Sequence, residues 1–277
     1  MTRLWCNGQW LDDLDFSISP RDRGLMQGLG LFETILAVDG VPIFADRHLA
    51  RLRESCGKLR WEIEFAGLHG IMSELLEANE LTAGRARVRL SVTGGSGLIH
   101  DLTLGADHLV WMVAVRADEA PATTSANLSP WTRNERSSLA GLKCASYAEN
   151  LVALEYASRL GFHETVFLNT MGQVCEAATS NVFLVKHGEL LTPSLASGCL
   201  PGITRKVVLE FAEQQKIPAR ECELREVDLA ESDEMILTSS IRGVMGVSRF
   251  EKREMPQGPV TRKLREAWSA MFLRNGR

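Results

Sequence analysis

The sequence predicts a mixed α/β (α+β) protein with two domains. Strand-like and helix-like segments alternate in both halves of the chain, which is typical of these fold classes. The length of 277 residues exceeds that of an average single domain. A polar stretch that contains a proline, ADEAPATTSAN at Ala117–Asn127, indicates a linker. We therefore expect one domain over residues 1–119 and another over residues 120–277.

Two turn signals in the first half predict two β-hairpins. Asn7-Gly8 and Asp39-Gly40 each separate short runs of strand-forming residues, and both dipeptides favour the tight turns that join antiparallel strands. The segment DRHLARLRESCGKL follows with apolar residues on one helical face and Asp46 as its expected N-cap. Three more elements are expected before the linker, in this order: the helix GLHGIMSELLEANEL, the strand ARVRLSVTGGSG with its glycine loop, and the strand HLVWMVAVRA.

Helices and strands continue to alternate after the linker. AENLVALEYASRLG is expected to form a helix that ends at Gly161, because glycine accepts the left-handed backbone that follows many helices. The remaining elements are expected in this order: ETVFLNTMGQVCE as a strand and turn, the amphipathic helix ITRKVVLEFAEQQ, the strand DEMILTSS and the terminal helix VTRKLREAWSAMFL.

Composition and charge argue against several classes of protein. The formal net charge is −4, and the basic residues alternate with apolar ones at helical spacing, so no nucleic-acid surface is expected. No apolar run has the length of a transmembrane helix, and the N-terminus lacks the apolar core of a signal peptide. Six scattered cysteines without a C-x-x-C pair indicate reduced, mostly buried thiols and no metal site. We expect a cytoplasmic protein that binds no membrane.

A carboxylate stands at the head of the apolar segment VCEAATSNVFLVK, Val174–Lys186. Glu176 is followed by small residues and then by a run of strand-forming residues. Burying a carboxylate without a partner is costly, so the segment predicts a positively charged group facing Glu176.

Other features could bind an anion such as a phosphate. The turn Pro201-Gly202 leads directly into a helix that begins near Ile203 and Thr204. The first N–H groups of such a helix are unpaired and lie at the positive end of its dipole, although an ordinary capped helix fits the same pattern. Ser239 and Ser240 at the end of the strand DEMILTSS are further candidates, although a simple turn also explains them. Arg51 on the helix DRHLARLRESC is another, although a solvent-facing side chain also explains it.

Lys143 stands in a setting unlike that of the other lysines. Its neighbours in LAGLKCASY are mostly small or apolar, and a helix follows. Removal from water lowers the pKa of a lysine and makes its amine available for covalent chemistry with carbonyl groups. A lysine at the end of a strand, with its charged group in solvent, fits the same residues.

Taken in order, these motifs resemble those of the class IV aminotransferases, the fold-type IV enzymes of pyridoxal 5′-phosphate (PLP). The resemblance covers nearly the whole chain and rests on six stretches: DRGLMQGLGLFETI, HLARL at His48–Leu52, LKCASYAENLVAL around Lys143, EAATSNVFLV at Glu176–Val185, LPGITR at Leu200–Arg205 and EMILTSS at Glu234–Ser240. It implies a small N-terminal α/β domain, a larger C-terminal PLP-binding domain, the cofactor at their interface, and a homodimer.

The resemblance also implies roles for individual residues. Lys143 matches the lysine that bonds covalently to PLP, and Glu176 matches the carboxylate that pairs with the nitrogen of the pyridine ring. The cofactor phosphate is implied to contact a further set of residues: Arg51, Ile203, Thr204, Ser239 and Ser240.

Two reactions share this scaffold, and the sequence favours the first by a narrow margin. One is transfer of an amino group between an amino acid and a 2-oxo acid. The other is the 4-amino-4-deoxychorismate lyase reaction, which releases pyruvate and 4-aminobenzoate in folate synthesis. The lyases resemble this chain in the loop Gly95-Ser96-Gly97 and in the segment before Lys143, but their loop continues with an arginine that is absent here. A PLP-binding protein without activity is a third possibility, against which the presence of Lys143 and Glu176 argues.

Residues that face the substrate depart from the familiar patterns of the family. Phe32 stands where D-amino-acid aminotransferases carry a tyrosine, and Gly94 stands where an arginine is common. Tyr147 is one position short of a tyrosine that branched-chain enzymes place after the lysine. The candidate substrate residues are therefore Phe32, His100 and Arg242.

Overall fold

The computed structural model of the protein describes residues 2–97 and 107–274. The chain forms two compact units, each with its own β-sheet, and the mixed α/β class is confirmed. The first unit comprises Met1–Glu119 and Leu142–Tyr147, and the second comprises Ala120–Gly141 and Ala148–Arg277. The segment Leu142–Tyr147 thus belongs with the N-terminal part of the chain. The predicted division into residues 1–119 and 120–277 does not anticipate this.

The first unit contains one antiparallel sheet of six strands in the order β2-β1-β6-β5-β3-β4. Its helices and strands have these bounds: β1 Arg3–Cys6, β2 Gln9–Asp12, α1 Arg23–Gln27, β3 Gly30–Val38, β4 Val41–Pro42, α2 Ala45–Lys58, α3 Leu68–Ala78, β5 Arg85–Thr93 and β6 Val110–Arg116. Helix α2 packs on β3, and helix α3 packs on β1 and β6. The apolar face of each helix is buried in these contacts, which is the main source of stability for a short helix.

Both predicted hairpins are present. Asn7 and Gly8 have φ angles of 42° and 86°, and Asp39 and Gly40 have φ angles of 48° and 79°. Two consecutive residues with positive φ form the turn whose twist matches that of antiparallel strands, and Asn, Asp and Gly accept this backbone most readily. Local turn chemistry therefore determines the register of β1 with β2 and of β3 with β4.

The expected N-cap of helix α2 is wrong. The N-cap position is occupied by Phe44, in the left-handed region at φ 55°, and no side chain caps the helix there. Asp46 lies within the first turn, where its carboxylate is 87% exposed and contacts His69. A carboxylate at that position still interacts favourably with the helix dipole, so the residue type signals the helix start without marking the cap itself.

The segment Leu142–Tyr147 joins the first unit through hydrogen bonds to strand β3. The backbone N–H of Phe32 donates to the carbonyl of Lys143 at 2.9 Å, and the N–H of Ala145 donates to the carbonyl of Gly30 at 2.7 Å. These bonds hold the backbone of Lys143 directly beside the first residues of β3.

The second unit contains a mixed sheet with the path β12-β11-β10-β13-β14-β7-β8-β9, and β15 pairs with β14. Its elements have these bounds: β7 Thr123–Arg133, α4 Ala148–Arg159, β8 Glu164–Asn169, β9 Val174–Ala177, β10 Asn181–Lys186, β11 Glu189–Pro193, α5 Ile203–Gln214, β12 Ala219–Cys222, α6 Glu226–Glu231, β13 Glu234–Ser239, β14 Gly243–Phe250, β15 Arg253–Glu254 and α7 Pro259–Arg274. The expected linker is too long, because Thr123–Asn127 belong to β7, which pairs in parallel with β14 and β8.

The central strands of the second unit are buried along most of their length, on both faces of the sheet. Side chains of β10, β13 and β14 form one apolar cluster that includes Val182, Leu184, Leu237, Met245 and Val247. The six cysteines of the chain are free thiols, and four of them are buried. No helix in the described ranges combines the length and the apolar character that crossing a membrane requires.

Candidate active site

The amine of Lys143 lies over an aromatic ring in the first unit. Its Nζ atom is 4.4 Å from the ring centroid of Phe32 and 6.0 Å from that of Tyr147. The two rings meet edge to face, with centroids 5.6 Å apart. Attraction between a cation and the face of a ring holds the amine beside Phe32, which is buried. The structure therefore brings together Lys143 and Phe32, two residues that the sequence singled out separately.

A second cation, Arg89, contacts the same phenylalanine. Its guanidinium carbon is 3.8 Å from the ring centroid of Phe32, and its Nε donates to Ser91 Oγ at 3.2 Å. Burial lowers the pKa of Arg89, the nearby Arg87 lowers it further, and Tyr147 opposes the change. Within residues 2–97 and 107–274, no carboxylate forms an ion pair with Arg89. Arg89 remains charged because the ordinary pKa of arginine lies far above neutrality. A half-buried guanidinium in this setting is suited to an anionic ligand.

Arg89 also lines a cavity of about 180 Å³ within the first unit. The wall includes Ser91, Trp111, Leu25 and Ala145, the last of which is two residues from Lys143. A few polar groups among apolar walls are typical of small-molecule sites. This cavity therefore gives a ligand with an anionic group a place to contact Arg89.

A buried charge cluster joins strand β3 to helix α2. Arg51 donates to Glu33 from Nε at 2.8 Å and from Nη2 at 2.5 Å, and His48 Nδ1 lies 2.7 Å from the same carboxylate. Burial raises the pKa of Glu33, but the charge of Arg51 and hydrogen bonds from His48 and Arg51 outweigh it and lower the pKa from 4.5 to about 2. Burial lowers the pKa of His48, and Lys143 is among the cations that lower it further. The structure thus pairs Arg51 with Glu33, and its contact with a phosphate stays a prediction.

Replacing Glu33 with glutamine is expected to destabilise the folded protein by roughly 3 kcal/mol at neutral pH, because Arg51 loses its buried counter-charge. The folded-state pKa lies below the ordinary value, so this stabilisation is fully present above about pH 4.5 and is lost as the pH falls toward 2. Urea unfolding of wild type and Glu33→Gln across that range measures the difference. As a control, Glu54→Gln on helix α2 removes an exposed pair with Lys58 and should cost below about 0.5 kcal/mol.

Glu176 lies on strand β9 of the second unit, half-buried and paired. Its Oε2 accepts a hydrogen bond from the N–H of Leu200 at 2.9 Å, and its Oε1 lies 3.9 Å from Arg133 Nη2. Arg133 in turn lies over the ring of Phe167, 4.6 Å from the centroid. The carboxylate that the sequence left without a partner therefore has one in the polypeptide.

Helix α5 begins at Ile203, and its first turn carries the hydroxyl of Thr204. No side chain caps this end, and the hydroxyl of Thr204 is buried without a hydrogen-bond partner in the part of the chain that the structure describes. A Cβ atom at Gly202 would collide with Asn181 Oδ1, so any larger residue would displace that side chain. A close backbone, uncapped N–H groups and an unsatisfied hydroxyl fit a bound phosphate group.

The loop after strand β13 is tied to a neighbouring turn by an arginine. Arg242 donates from Nη2 to Glu164 Oε2 at 2.9 Å, to Ser180 Oγ at 3.2 Å and to Thr179 Oγ1. Its backbone N–H donates to Ser239 Oγ at 3.4 Å, next to Ser240. Arg242 therefore has an internal counter-charge, the fully buried Glu164, and its contact with a substrate carboxylate stays a prediction.

The predicted site residues fall into two sets, and one lies outside the described residues. Lys143, Phe32 and Arg51 belong to the first unit, and His100 lies outside the described ranges. The other predicted residues belong to the second unit: Glu176, Ile203, Thr204, Ser239, Ser240 and Arg242.

Sequence reasoning missed Arg89 and Glu33 as parts of these sites. It noted Arg133 ahead of Lys143 as a residue that could line the pocket, but it did not predict the contact of Arg133 with Glu176. One signal for Arg89 was available, because the alternation of ARVRLSVT places Arg87, Arg89 and Ser91 on one strand face. The contacts of Glu33 and Arg133 had no comparable local signal.

Known proteins of two activities resemble this chain. The chain is 27% identical over 254 residues to the aminodeoxychorismate lyase of Bacillus subtilis, covering 90% of this chain and 87% of the relative. It is 28% identical over 292 residues to the branched-chain-amino-acid aminotransferase of Salmonella typhimurium, covering 97% and 92%.

Solved structures of both kinds share the fold. A branched-chain aminotransferase from Thermoproteus uzoniensis superposes with a TM-score of 0.93 at 24% identity, covering 98% of this chain and 95% of that one. The 4-amino-4-deoxychorismate lyase from Pseudomonas aeruginosa superposes with a TM-score of 0.82 at 31% identity, covering 95% and 97%. The family model for amino-transferase class IV matches residues 30–250. The protein therefore belongs to the class IV aminotransferase family, whose relatives include both aminotransferases and lyases.

Proposed function

We propose that the protein is a PLP-dependent aminotransferase that moves an amino group between an amino acid and a 2-oxo acid. The observation that carries the proposal is the cluster around Phe32, where the amine of Lys143 and the guanidinium of Arg89 contact one ring. An amino acid presents a carboxylate on the carbon that bears its amine. A cation suited to a carboxylate, close to a lysine, matches that chemistry.

The described residues fit PLP, which has an aldehyde, a pyridine nitrogen and a phosphate. Lys143 would bond to the aldehyde carbon, and Glu176 would pair with the protonated ring nitrogen. The uncapped start of helix α5, with the unsatisfied hydroxyl of Thr204, would hold the phosphate. Arg51, Ser239 and Ser240 are proposed as further phosphate contacts on the strength of the family resemblance.

Bound PLP supplies a reactive aldehyde and a ring that accepts electrons. The residues of this chain would supply the remaining parts of the reaction. The amine of Lys143 would take a proton from the substrate carbon that bears the amine and deliver it to the carbon that carries the aldehyde in PLP. The carboxylate of Glu176 would stabilise positive charge at the ring nitrogen. The guanidinium of Arg89 would orient the substrate by its carboxylate, so that the bond to hydrogen faces the amine of Lys143.

Replacing Thr204 with valine tests the proposed phosphate contact. The two side chains have similar shape, and the buried hydroxyl has no partner within the described residues, so the PLP-free variant should be as stable as wild type or more so. Affinity for PLP should fall by about 10-fold, because one charge-assisted hydrogen bond is lost. Equilibrium dialysis and thermal unfolding of the PLP-free protein measure the two effects. Unchanged affinity would remove Thr204 from the site.

The lyase reaction is the second candidate. The 31% identity with the lyase of Pseudomonas aeruginosa supports it, whereas the stretch from Gly94 to Asp107 lacks the arginine of the lyase loop. Spectroscopy of the PLP-loaded protein separates the two reactions. An amino acid added without an acceptor should convert the cofactor to its amine form in an aminotransferase.

In a lyase, aminodeoxychorismate should instead yield pyruvate with no acceptor present. Pyruvate release without a colour change on any L- or D-amino acid would overturn the aminotransferase proposal in favour of the lyase. A protein that stays colourless with PLP would overturn both. The homodimer stays a prediction of the family resemblance, and the cytoplasmic location stays a prediction of the sequence.

A further inference from the structure

We propose that Arg133 is a positioning residue that holds the carboxylate of Glu176 in place for the ring nitrogen of the cofactor. This inference rests on the proposed function. Arg133 lies at the end of β7, Phe167 on β8 and Glu176 on β9, three strands that are adjacent in the sheet. Phe167 and Glu176 are direct partners in the register of β8 with β9.

The arginine side chain spans these strands over the aromatic ring. Its guanidinium lies 4.6 Å from the ring centroid of Phe167 and reaches Glu176 Oε1 at 3.9 Å. The same carboxylate is held from its other oxygen by the N–H of Leu200. Two contacts on different oxygens restrict rotation of the carboxylate about its last bond, which one contact alone would permit.

Arg133 supplies positive charge beside this carboxylate. The thiols of Cys175 and Cys199 also interact with Glu176, but burial raises the pKa of both, so they stay neutral. Arg133 is charged and faces the carboxylate from the end of β7. Its second carboxylate contact, Glu149 at 3.5 Å, is 77% exposed and hence screened by solvent.

The arginine is held by the ring and by charge more than by hydrogen bonds. Its side chain is 19% exposed, and its Nε is buried without a hydrogen-bond partner in the described ranges. A lysine at this position would keep the charge and lose no hydrogen bond at Nε, but it would lose the planar contact with Phe167. Arg133→Lys therefore separates the charge of the side chain from its fixed orientation.

Changes in PLP affinity and in the pH titration of the PLP absorption band test the positioning role of Arg133. Arg133→Gln should change PLP affinity and the pH titration of the visible absorption band in the same direction as Glu176→Gln, because both remove an ordered carboxylate from the ring nitrogen. The loss of affinity should be about 5-fold, typical of a half-buried ion pair, and smaller than that of Glu176→Gln. Arg133→Lys should lie between Arg133→Gln and wild type.

Arg136→Gln is the matched control, because it removes an arginine of the same segment whose side chain is 81% exposed and pairs with Glu135. It should leave affinity and titration unchanged. The double variant Arg133→Gln/Glu176→Gln should match Glu176→Gln alone if Arg133 acts through the carboxylate.

Three results would overturn the inference: no change in Arg133→Gln, a change opposite in direction to that of Glu176→Gln, or an undiminished additional change in the double variant. Thermal unfolding of each PLP-free variant checks folding, and Arg133→Lys provides the comparison if Arg133→Gln does not fold. Wild-type protein that fails to bind PLP would instead refute the proposed function, which keeps the two failures distinct.

Discussion

Substituting Lys143 with alanine is expected to lower kcat by at least about 10³-fold, because the variant loses both the group that bonds to the cofactor and the base that moves the substrate proton. Single-turnover spectroscopy with an amino acid and added PLP measures the effect. The loss should appear in the chemical step, since Arg89 and the cavity beside it are unchanged.

Two control variants, Lys143→Arg and Lys58→Ala, separate the chemical role of the Lys143 amine from its charge. Lys143→Arg keeps a cation over the Phe32 ring but has no amine to bond to an aldehyde, so it should be as inactive as the alanine variant. Lys58→Ala removes an exposed lysine of helix α2 and should keep full activity. Reduction of the PLP-loaded protein with borohydride should label the peptide that contains Lys143. A label on another lysine, or turnover by Lys143→Ala at a rate close to that of wild type, would refute the assignment.

Local chemistry explains which parts of the fold the sequence could predict. The turns at Asn7-Gly8 and Asp39-Gly40 depend on two adjacent residues, and both hairpins formed where expected. The place of Leu142–Tyr147 depends on hydrogen bonds to Gly30 and Phe32, more than a hundred positions away, and nothing within the segment encodes that pairing. The predicted linker is longer than the observed one because Thr123–Asn127 are small and mostly polar, although β7 pairs on both sides.

The candidate site also combines features encoded by adjacent residues with features that depend on strand pairing. A helix start with glycine and threonine is visible in six residues, and its unsatisfied hydroxyl is present at Thr204. Alternation along β5 places Arg89 on one face of the strand, but its contact with Phe32 follows only from the register of β3 with β5, in which Phe32 is opposite Ser91 and Thr34 is opposite Arg89. Arg133 likewise requires three strands in order before its contact with Glu176 exists. Contacts between side chains on different strands can be predicted only when the order and register of the strands are known. A single sequence does not supply that information.

Replacing Arg89 with methionine is expected to lower kcat/KM for an amino acid roughly 100-fold, because the substrate carboxylate loses a half-buried, charge-assisted contact. Methionine keeps an unbranched side chain that can still pack against Phe32, so the fold should tolerate the change. The effect should fall mainly on KM if the carboxylate is held equally in the ground state and the transition state. Steady-state kinetics with an amino acid and its 2-oxo acid partner measure both constants.

A pair of substrates makes this test specific for the carboxylate. The corresponding primary amine without a carboxylate should react slowly with wild type and change below about 3-fold in Arg89→Met, because it never contacts the guanidinium. Arg87→Met, on the exposed neighbouring position of the same strand face, should leave both substrates within about 3-fold of wild type. Equal losses of kcat/KM with the amino acid and with the amine would mean that Arg89 supports the ring of Phe32 beside Lys143 and does not bind the substrate carboxylate. Because Arg89 and Lys143 contact one ring, only a comparison that removes the carboxylate from the substrate, and not merely the arginine from the protein, can separate these two roles.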